Sequence, residues 1–253
     1  MKIKKCYYFV KMEEYMNTQV ISIQFSVFGD FKNLNPSNPD MVIDFMNMLK
    51  DDDFVPSTFG EIPFNSNKIM MYNRFSFSNK DGVTINIGSD RLDVIFGYNE
   101  DGKYKEMNFE ELKNKGLEYI AKIKSKYNKI INRIALNITK MYDENLSSII
   151  REKFDNSIIL PYYKENTPLE WNERLVYRMS SDFKNDINVG LNLTKSQGKL
   201  TKKDVSIEFD GIIALFDINT VFNNTENYSE DDLEDFFEKA NIEYNKLIKS
   251  IEE

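Results

Sequence analysis

Between residues 20 and 27 the chain alternates, with Ile21, Ile23, Phe25 and Val27 set against Ser22, Gln24 and Ser26, and the same alternation returns further along at matched offsets. A period of two sends successive side chains to opposite faces, so each such run predicts a strand with one face buried and one open. A shift of 104 residues carries Val83, Ile85 and Ile87 onto Ile187, Val189 and Leu191, and Arg74-Phe75-Ser76 onto Arg178-Met179-Ser180. A shift of 111 carries Ile23, Phe25 and Val27 onto Ile134, Leu136 and Ile138, and a shift of 121 carries Asn108 and Leu112 onto Ser229 and Leu233. Alternation is cheap, but several matches in one order, each ending at a helix cap, point to an internal duplication.

Reading outward from those runs gives the elements. The first half begins with the strand over 20–27. The Asn35-Pro36-Ser37-Asn38-Pro39 break follows, and then a helix over 40–50 with Met41, Phe45, Met48 and Leu49 on one stripe. Pro56, Gly60 and Pro63 allow at most a short edge strand. A strand over 69–78 places Met71, Phe75 and Phe77 on one face, and Asp81-Gly82 turns it into 83–87 and a further strand over 91–97. Asn108 and Glu111 form a capping box for a helix to Tyr127 on Leu112, Leu117, Ile120 and Ile123.

The second half repeats the order. It has a strand over 131–140 and a short helix over 144–154 on Leu146, Ile149, Ile150 and Phe154. An irregular edge segment lies between Pro161 and Pro168, followed by strands over 174–181, 187–194 and 205–216. The last helix, capped by Ser229 and Asp232, carries Leu233, Phe236, Phe237, Ile242, Leu247 and Ile248. The expected fold is α+β, two pseudo-repeats forming a curved antiparallel sheet with helices on one face, since such a sheet needs only one face buried. Residues 1–18 read as an N-terminal arm, 19–128 as the first repeat and 129–253 as the second, within one compact unit.

Composition narrows the chemistry. The chain of 253 residues has no histidine and a single cysteine, Cys6. Ser-His-Asp and Cys-His triads, histidine-ligated zinc and the usual neutral-pH general base are all excluded, as are an internal disulfide framework and a thiolate zinc site. Cys6 sits in the apolar run Cys6-Tyr7-Tyr8-Phe9-Val10, which reads as structural burial. That run stops at Lys11, short of the about 7–15 apolar residues of a secretory signal, and no stretch of about 18 apolar residues occurs, so the expectation is a cytoplasmic protein with no membrane contact. A net charge of −8 disfavours a nucleic-acid-gripping role, yet 33 bases against 41 acids are too balanced for a nucleic-acid mimic.

Two resemblances add expectations. The order strand, helix, strands, long helix, given twice, resembles the duplicated saddle of the TATA-box-binding proteins. That resemblance implies a nucleic-acid-binding saddle, although the basic charge and phenylalanine wedges of such a saddle are not evident here. From about residue 19 the chain is also similar to an uncharacterised, sporadically distributed bacterial family of about 250 residues. Its motifs are Arg74-Phe75-Ser76-Phe77 with Asp81-Gly82, Asp90-Arg91-Leu92-Asp93-Val94, Arg133-Ile134-Ala135-Leu136-Asn137-Ile138 and Phe216-Asp217-Ile218-Asn219-Thr220. The family has Asp where Asn219 stands and a Leu-His pair in the final helix that this chain lacks. The resemblance implies a shared fold, and the sporadic distribution points to phage defence or toxin neutralisation.

The outward face of the expected sheet would carry Ser22, Gln24, Ser26, Arg74, Ser76, Thr84 and Asn86 from one half, and Asn137, Thr139, Arg178, Ser180, Asn188 and Asn192 from the other. An AT-rich genome would also enrich asparagine. A face rich in Asn, Ser and Arg and poor in Lys and Glu nevertheless reads as a surface that hydrogen-bonds a protein partner or a second copy. Within it Arg74, Ser76, Asn86, Asn137, Arg178, Ser180 and Asn188 are the expected binding residues. The alternative is a metal-dependent phosphodiesterase or nuclease built on Asp90, Asp93, Asp210 and Asp217, which would need those carboxylates to converge. Gly88, Gly97 and Gly102 lack the Lys-Ser/Thr of a phosphate loop, and no cofactor is expected. Tyr162-Tyr163 and Trp171, beside Pro161 and Pro168, read as a core plug or a binding lip, with the plug favoured.

Overall fold

The computed structural model describes residues 18–62, 71–97, 108–142, 150, 170–180, 182–202, 205–222 and 227–252. Their elements are β1 (Thr18–Phe28), α1 (Pro39–Met48), β2 (Val55–Glu61), β3 (Tyr72–Ser78), β4 (Val83–Ile87), β5 (Arg91–Phe96), α2 (Phe109–Lys126), β6 (Arg133–Tyr142), β7 (Trp171–Met179), β8 (Ile187–Lys202), β9 (Val205–Thr220) and α3 (Glu230–Glu252), with a single 3-10 turn at Lys50–Asp52. Cys6 and the arm, the segment 144–154 apart from Ile150, and Tyr162-Tyr163 with their flanking prolines lie outside the described residues.

The strands form one antiparallel sheet in the order β2-β3-β4-β5-β1-β6-β9-β8-β7. Its centre is the β1–β6 pair, and outward from it the two halves run β1, β5, β4, β3 and β6, β9, β8, β7. One register row crosses eight strands: Phe77, Ile85, Val94, Phe25, Leu136, Ile218, Val189 and Tyr177. Counted from the centre, Phe25 faces Leu136 and Ile85 matches Val189, so the 111 and 104 offsets of the sequence are consistent with a single ladder register. The row also corrects one correspondence. Phe77 matches Tyr177, which places Arg74 against Arg174 rather than Arg178. The β3–β4 turn spans only 79–82 and closes on Gly82, whose φ of 86° suits glycine. The β7–β8 connection spans 180–186, and this extra length slides β7 along β8.

The buried side of the sheet carries the helices. Phe25, fully buried, meets Phe96 at 5.9 Å, Phe109 at the start of α2 at 5.9 Å and Phe237 of α3 at 5.0 Å. Gly116 lets α2 come down onto it, since a Cβ there would stand 3.1 Å from the Phe25 ring. α1 starts at Pro39, with Asn38 accepting from the Asp40 N–H. It drops Phe45 against Phe75, Phe77 and Tyr127 at 4.9, 5.2 and 5.0 Å. The capping boxes form as the sequence implies: Asn108 exchanges bonds with Glu111, and Ser229 with Asp232.

α2 and α3 are also joined by a buried charge. Lys113 donates to Glu110 and to Glu238, each at 2.9 Å. Burial works to lower its pKa, but those hydrogen bonds prevail and hold it above its ordinary value.

Several sequence boundaries shift. Met71 is 67% exposed, because pairing begins only at Tyr72 opposite Glu61. Ile242 is 53% exposed, because the stripe of α3 runs through Leu233, Phe236, Phe237, Ala240 and Ile251 and Ile242 points about 200° from Ala240. β7 runs from Trp171 to Met179, which makes Trp171 a strand residue half-buried on the core margin and leaves Ser180 past the strand end. β8 runs on past 194 to Lys202, and β9 starts at Val205 as expected but runs on past 216 to Thr220. No helix among the described residues is long and apolar enough to cross a membrane.

Because Phe25 touches β5 and both long helices, Phe25→Ala should lower the unfolding free energy by about 3–5 kcal/mol, the range for deleting a fully buried aromatic. Urea unfolding followed by circular dichroism measures it, and a loss under about 1 kcal/mol would mean the helices do not seat on this residue.

Candidate functional site

The second face of the sheet has no helix packed on it among the described residues. Its middle row is Ser57, Ser76, Asn86, Asp93, Ser26, Ala135, Asn219, Asn188 and Arg178, one residue from each of nine strands. At about 4.8 Å per strand the row is about 38 Å long. Eight of the nine are polar, and on β2 and β7, at the two ends of the row, neither face is buried. Of the expected binding residues, Ser76, Asn86, Arg178 and Asn188 lie in this row. Asn137 lies in the next, between Gln24 and Asp217. Ser180 is exposed but beyond β7.

Arg74 takes a different position. It is buried, donating from Nε to Glu61 Oε2 at 2.7 Å and from Nη1 to the Lys32 carbonyl at 3.2 Å, while Nη2 reaches the Ser89 hydroxyl. Burial works to raise the Glu61 pKa, but Ser89 and Arg74 hold it below the ordinary glutamate value. Arg74 thus ties the end of the edge strand β2 to the Ser89 turn. Arg178 is exposed and makes one bond here, Nε to Asn188 Oδ1 at 2.9 Å.

Two hydrogen-bond groups organise the centre. In the first, the Asp93 carboxylate accepts from Ser26 Oγ at 2.7 Å and Gln24 Nε2 at 3.0 Å and pairs with Arg91 Nε at 2.8 Å. In the second, Asn219 Oδ1 accepts from Arg133 Nη2 at 2.9 Å and Asn188 Nδ2 at 3.1 Å, and its own amide donates to Asp217 Oδ1 at 2.9 Å. The groups meet at Phe28, which stands opposite both Arg91 and Arg133, with their guanidinium carbons 5.9 and 4.9 Å from its ring centroid. Arg133 Nε and Asn192 Oδ1, both on this face, are buried without a hydrogen-bond partner.

Alternation along β1 stops one residue short of Phe28, and Arg91 and Arg133 enter the sequence reading only as parts of family motifs. Extending the period of two by one step would have put Phe28 outward. The pairing of Phe28 with both arginines requires the register.

The four aspartates are not brought together. Asp93 and Asp217 share the open face but stand on β5 and β9, three strand spacings or about 14 Å apart. Asp210 pairs with Lys195, and Asp90 is exposed at a turn. Among the described residues no group of three or more acidic or cysteine side chains could hold a metal ion. Compared with protein-family models, curated proteins and solved structures, the chain finds no match.

Burial raises the pKa of Asp93 above the ordinary carboxylate value, with Arg91, Ser26 and Gln24 pulling it down less strongly. Between the unfolded pKa and this raised one, the folded chain keeps a proton that the unfolded chain has released. The Asp93 contribution therefore makes stability fall as pH rises through that window. Asp93→Asn removes the effect, so the variant should gain stability relative to the wild type between pH 4 and pH 7. Thermal unfolding at both pH values checks this, and a variant stability that stays constant or falls relative to the wild type as pH rises would contradict it.

Proposed function

We propose that this chain is a non-enzymatic binding protein that holds a partner protein on the open face of its sheet. The observation that carries this reading is the nine-strand row from Ser57 to Arg178. It lines up polar groups across about 38 Å, exposed at Ser57 and Arg178, half-buried at Ser76, Asn86 and Asn188, and buried at Asp93, Ser26 and Asn219 in its centre. The net charge of −8, with Asp93 and Asp217 on the face itself, favours a protein over a nucleic acid. The scattered aspartates favour binding over metal-dependent hydrolysis. A role in bacterial defence or toxin neutralisation, as the family resemblance implies, is compatible with a binding face of this kind.

The test is affinity capture of the full chain from its own host, comparing the wild type with Ser76→Arg and Asn86→Arg on the face and Ser125→Arg on the helix layer. The face variants should lose a specific partner by about tenfold or more, equivalent to about 1.4 kcal/mol, while Ser125→Arg keeps it and all three fold alike by circular dichroism. Equal retention by the face variants would refute the reading. So would a salt-dependent gel shift with DNA or RNA, or stabilisation and phosphodiester hydrolysis on adding Mg²⁺ or Mn²⁺.

A further inference from the structure

We infer that the outer edge of β7 docks an extended segment of a partner protein as a further strand, and that this segment carries two acidic residues four apart with apolar residues between them. The site is the edge of the sheet rather than its open face, so it holds or fails separately from the reading above. An edge strand keeps a row of backbone N–H and C=O groups without ladder partners, and an added strand supplies them. β7 has β8 as its one neighbour among the described residues, and it carries no proline. Leu175, Val176 and Tyr177 are exposed along it in succession.

The side chains of β7 define the segment, because residues directly opposite each other in a ladder share a face. Leu175 and Tyr177 fall on the helix side, paired with Leu191 and Val189. These four, with Leu247 of α3, line a groove of about 350 Å³. Its two charged members, Glu243 and Lys246, pair with each other at 2.6 Å, so the groove selects apolar residues opposite Leu175 and Tyr177. Arg174, Val176 and Arg178 fall on the open side, paired with Asn192, Gly190 and Asn188, none of which is charged. Both arginines are exposed. Arg174 makes no hydrogen bond or ion pair among the described residues, and Arg178 spends only Nε, on Asn188. Acidic residues opposite these two complete the match. The pattern, acid, three apolar residues, acid, reads the same in both directions and so suits parallel or antiparallel addition. The chain's net charge of −8 disfavours a uniformly acidic segment or a nucleic acid strand.

Trp171, the one tryptophan of the chain, lies in β7 and reports on the site. The test is a titration of the full ¹⁵N-labelled chain with Ac-Gly-Glu-Ile-Val-Tyr-Glu-Gly-NH₂, followed by amide and indole shifts and by hydrogen exchange. The Trp171–Met179 signals should move saturably while those of β2 and β3 stay still, and alternate β7 amides should exchange at least about tenfold more slowly at saturation. Glutamine at both acidic positions should weaken binding about fivefold, as for two exposed ion pairs, and proline in place of valine should abolish it. A chain carrying both Arg174→Glu and Arg178→Glu should reverse the preference, taking Ac-Gly-Lys-Ile-Val-Tyr-Lys-Gly-NH₂ over the glutamate peptide. The inference falls if no saturable movement occurs, if the movement lies elsewhere than β7, if the glutamine, lysine or proline peptide binds the wild type as tightly, or if the charge-reversed chain keeps the original preference. It falls equally if every β7 amide is already protected before peptide is added, which would mean that the chain itself or a second copy occupies the edge.

Discussion

β1 and β6 run antiparallel from Thr18 opposite Tyr142 to Phe28 opposite Arg133, and everything else is placed relative to that pair. Its buried side sets Phe25 beside Leu136, under both long helices. Its open side sets Ser26 beside Ala135, Gln24 beside Asn137 and Phe28 beside Arg133, the last being where the two polar groups meet. Since side chains alternate faces along a strand, a slip of one residue in this ladder would turn Phe25 to water and Gln24 to the core. Core and surface are thus two sides of one register, and a change that loosens the first disorganises the second.

The strands and caps were legible because they follow local rules. Alternation places Ile23, Phe25 and Val27 inward, and Asn108 with Glu111 or Ser229 with Asp232 marks a helix start from four residues alone. Strand order was not written locally and emerges only from the pairing, in which Ile85 and Val189 each lie two strands out from the central pair. What failed was whatever depends on loop length or on partners distant in sequence. Arg74 and Arg178 look alike in the sequence, yet the β7–β8 connection slides one of them and Glu61 with Ser89 buries the other. Phe28 looks like the ragged end of a strand until Arg91, 63 residues away, and Arg133, 105 residues away, arrive beside it.

The open face is built in a manner that favours fixed shape over gain in stability. Asp93 is buried with a raised pKa, which is an electrostatic cost at neutral pH, and its bonds to Ser26 and Gln24 offset only part of it. Asn219 acts as a hub, receiving from two strands and donating to a third position, so its amide orientation is dictated by its neighbours. Such cross-linked polar groups lose little further freedom when something settles on them. This is how a surface limits the entropic cost of association.

The two ends of the sheet differ. β2 carries Pro56, which removes a donor from that edge, and it is pinned at Glu61 by Arg74 and Ser89. β7 ends the described strand order and has Leu175, Val176 and Tyr177 in succession at 44%, 51% and 68% exposure, so both of its faces are apolar at once. An end that resists strand addition opposite an end that invites it makes the sheet polar in the polymer sense. Growth by adding chains edge to edge would stop after two, because joining their adhesive ends leaves only the proline-bearing ends outermost. The asymmetry thus works as a chain terminator, letting an apolar strand sit at the surface without the fold becoming a seed for fibrils.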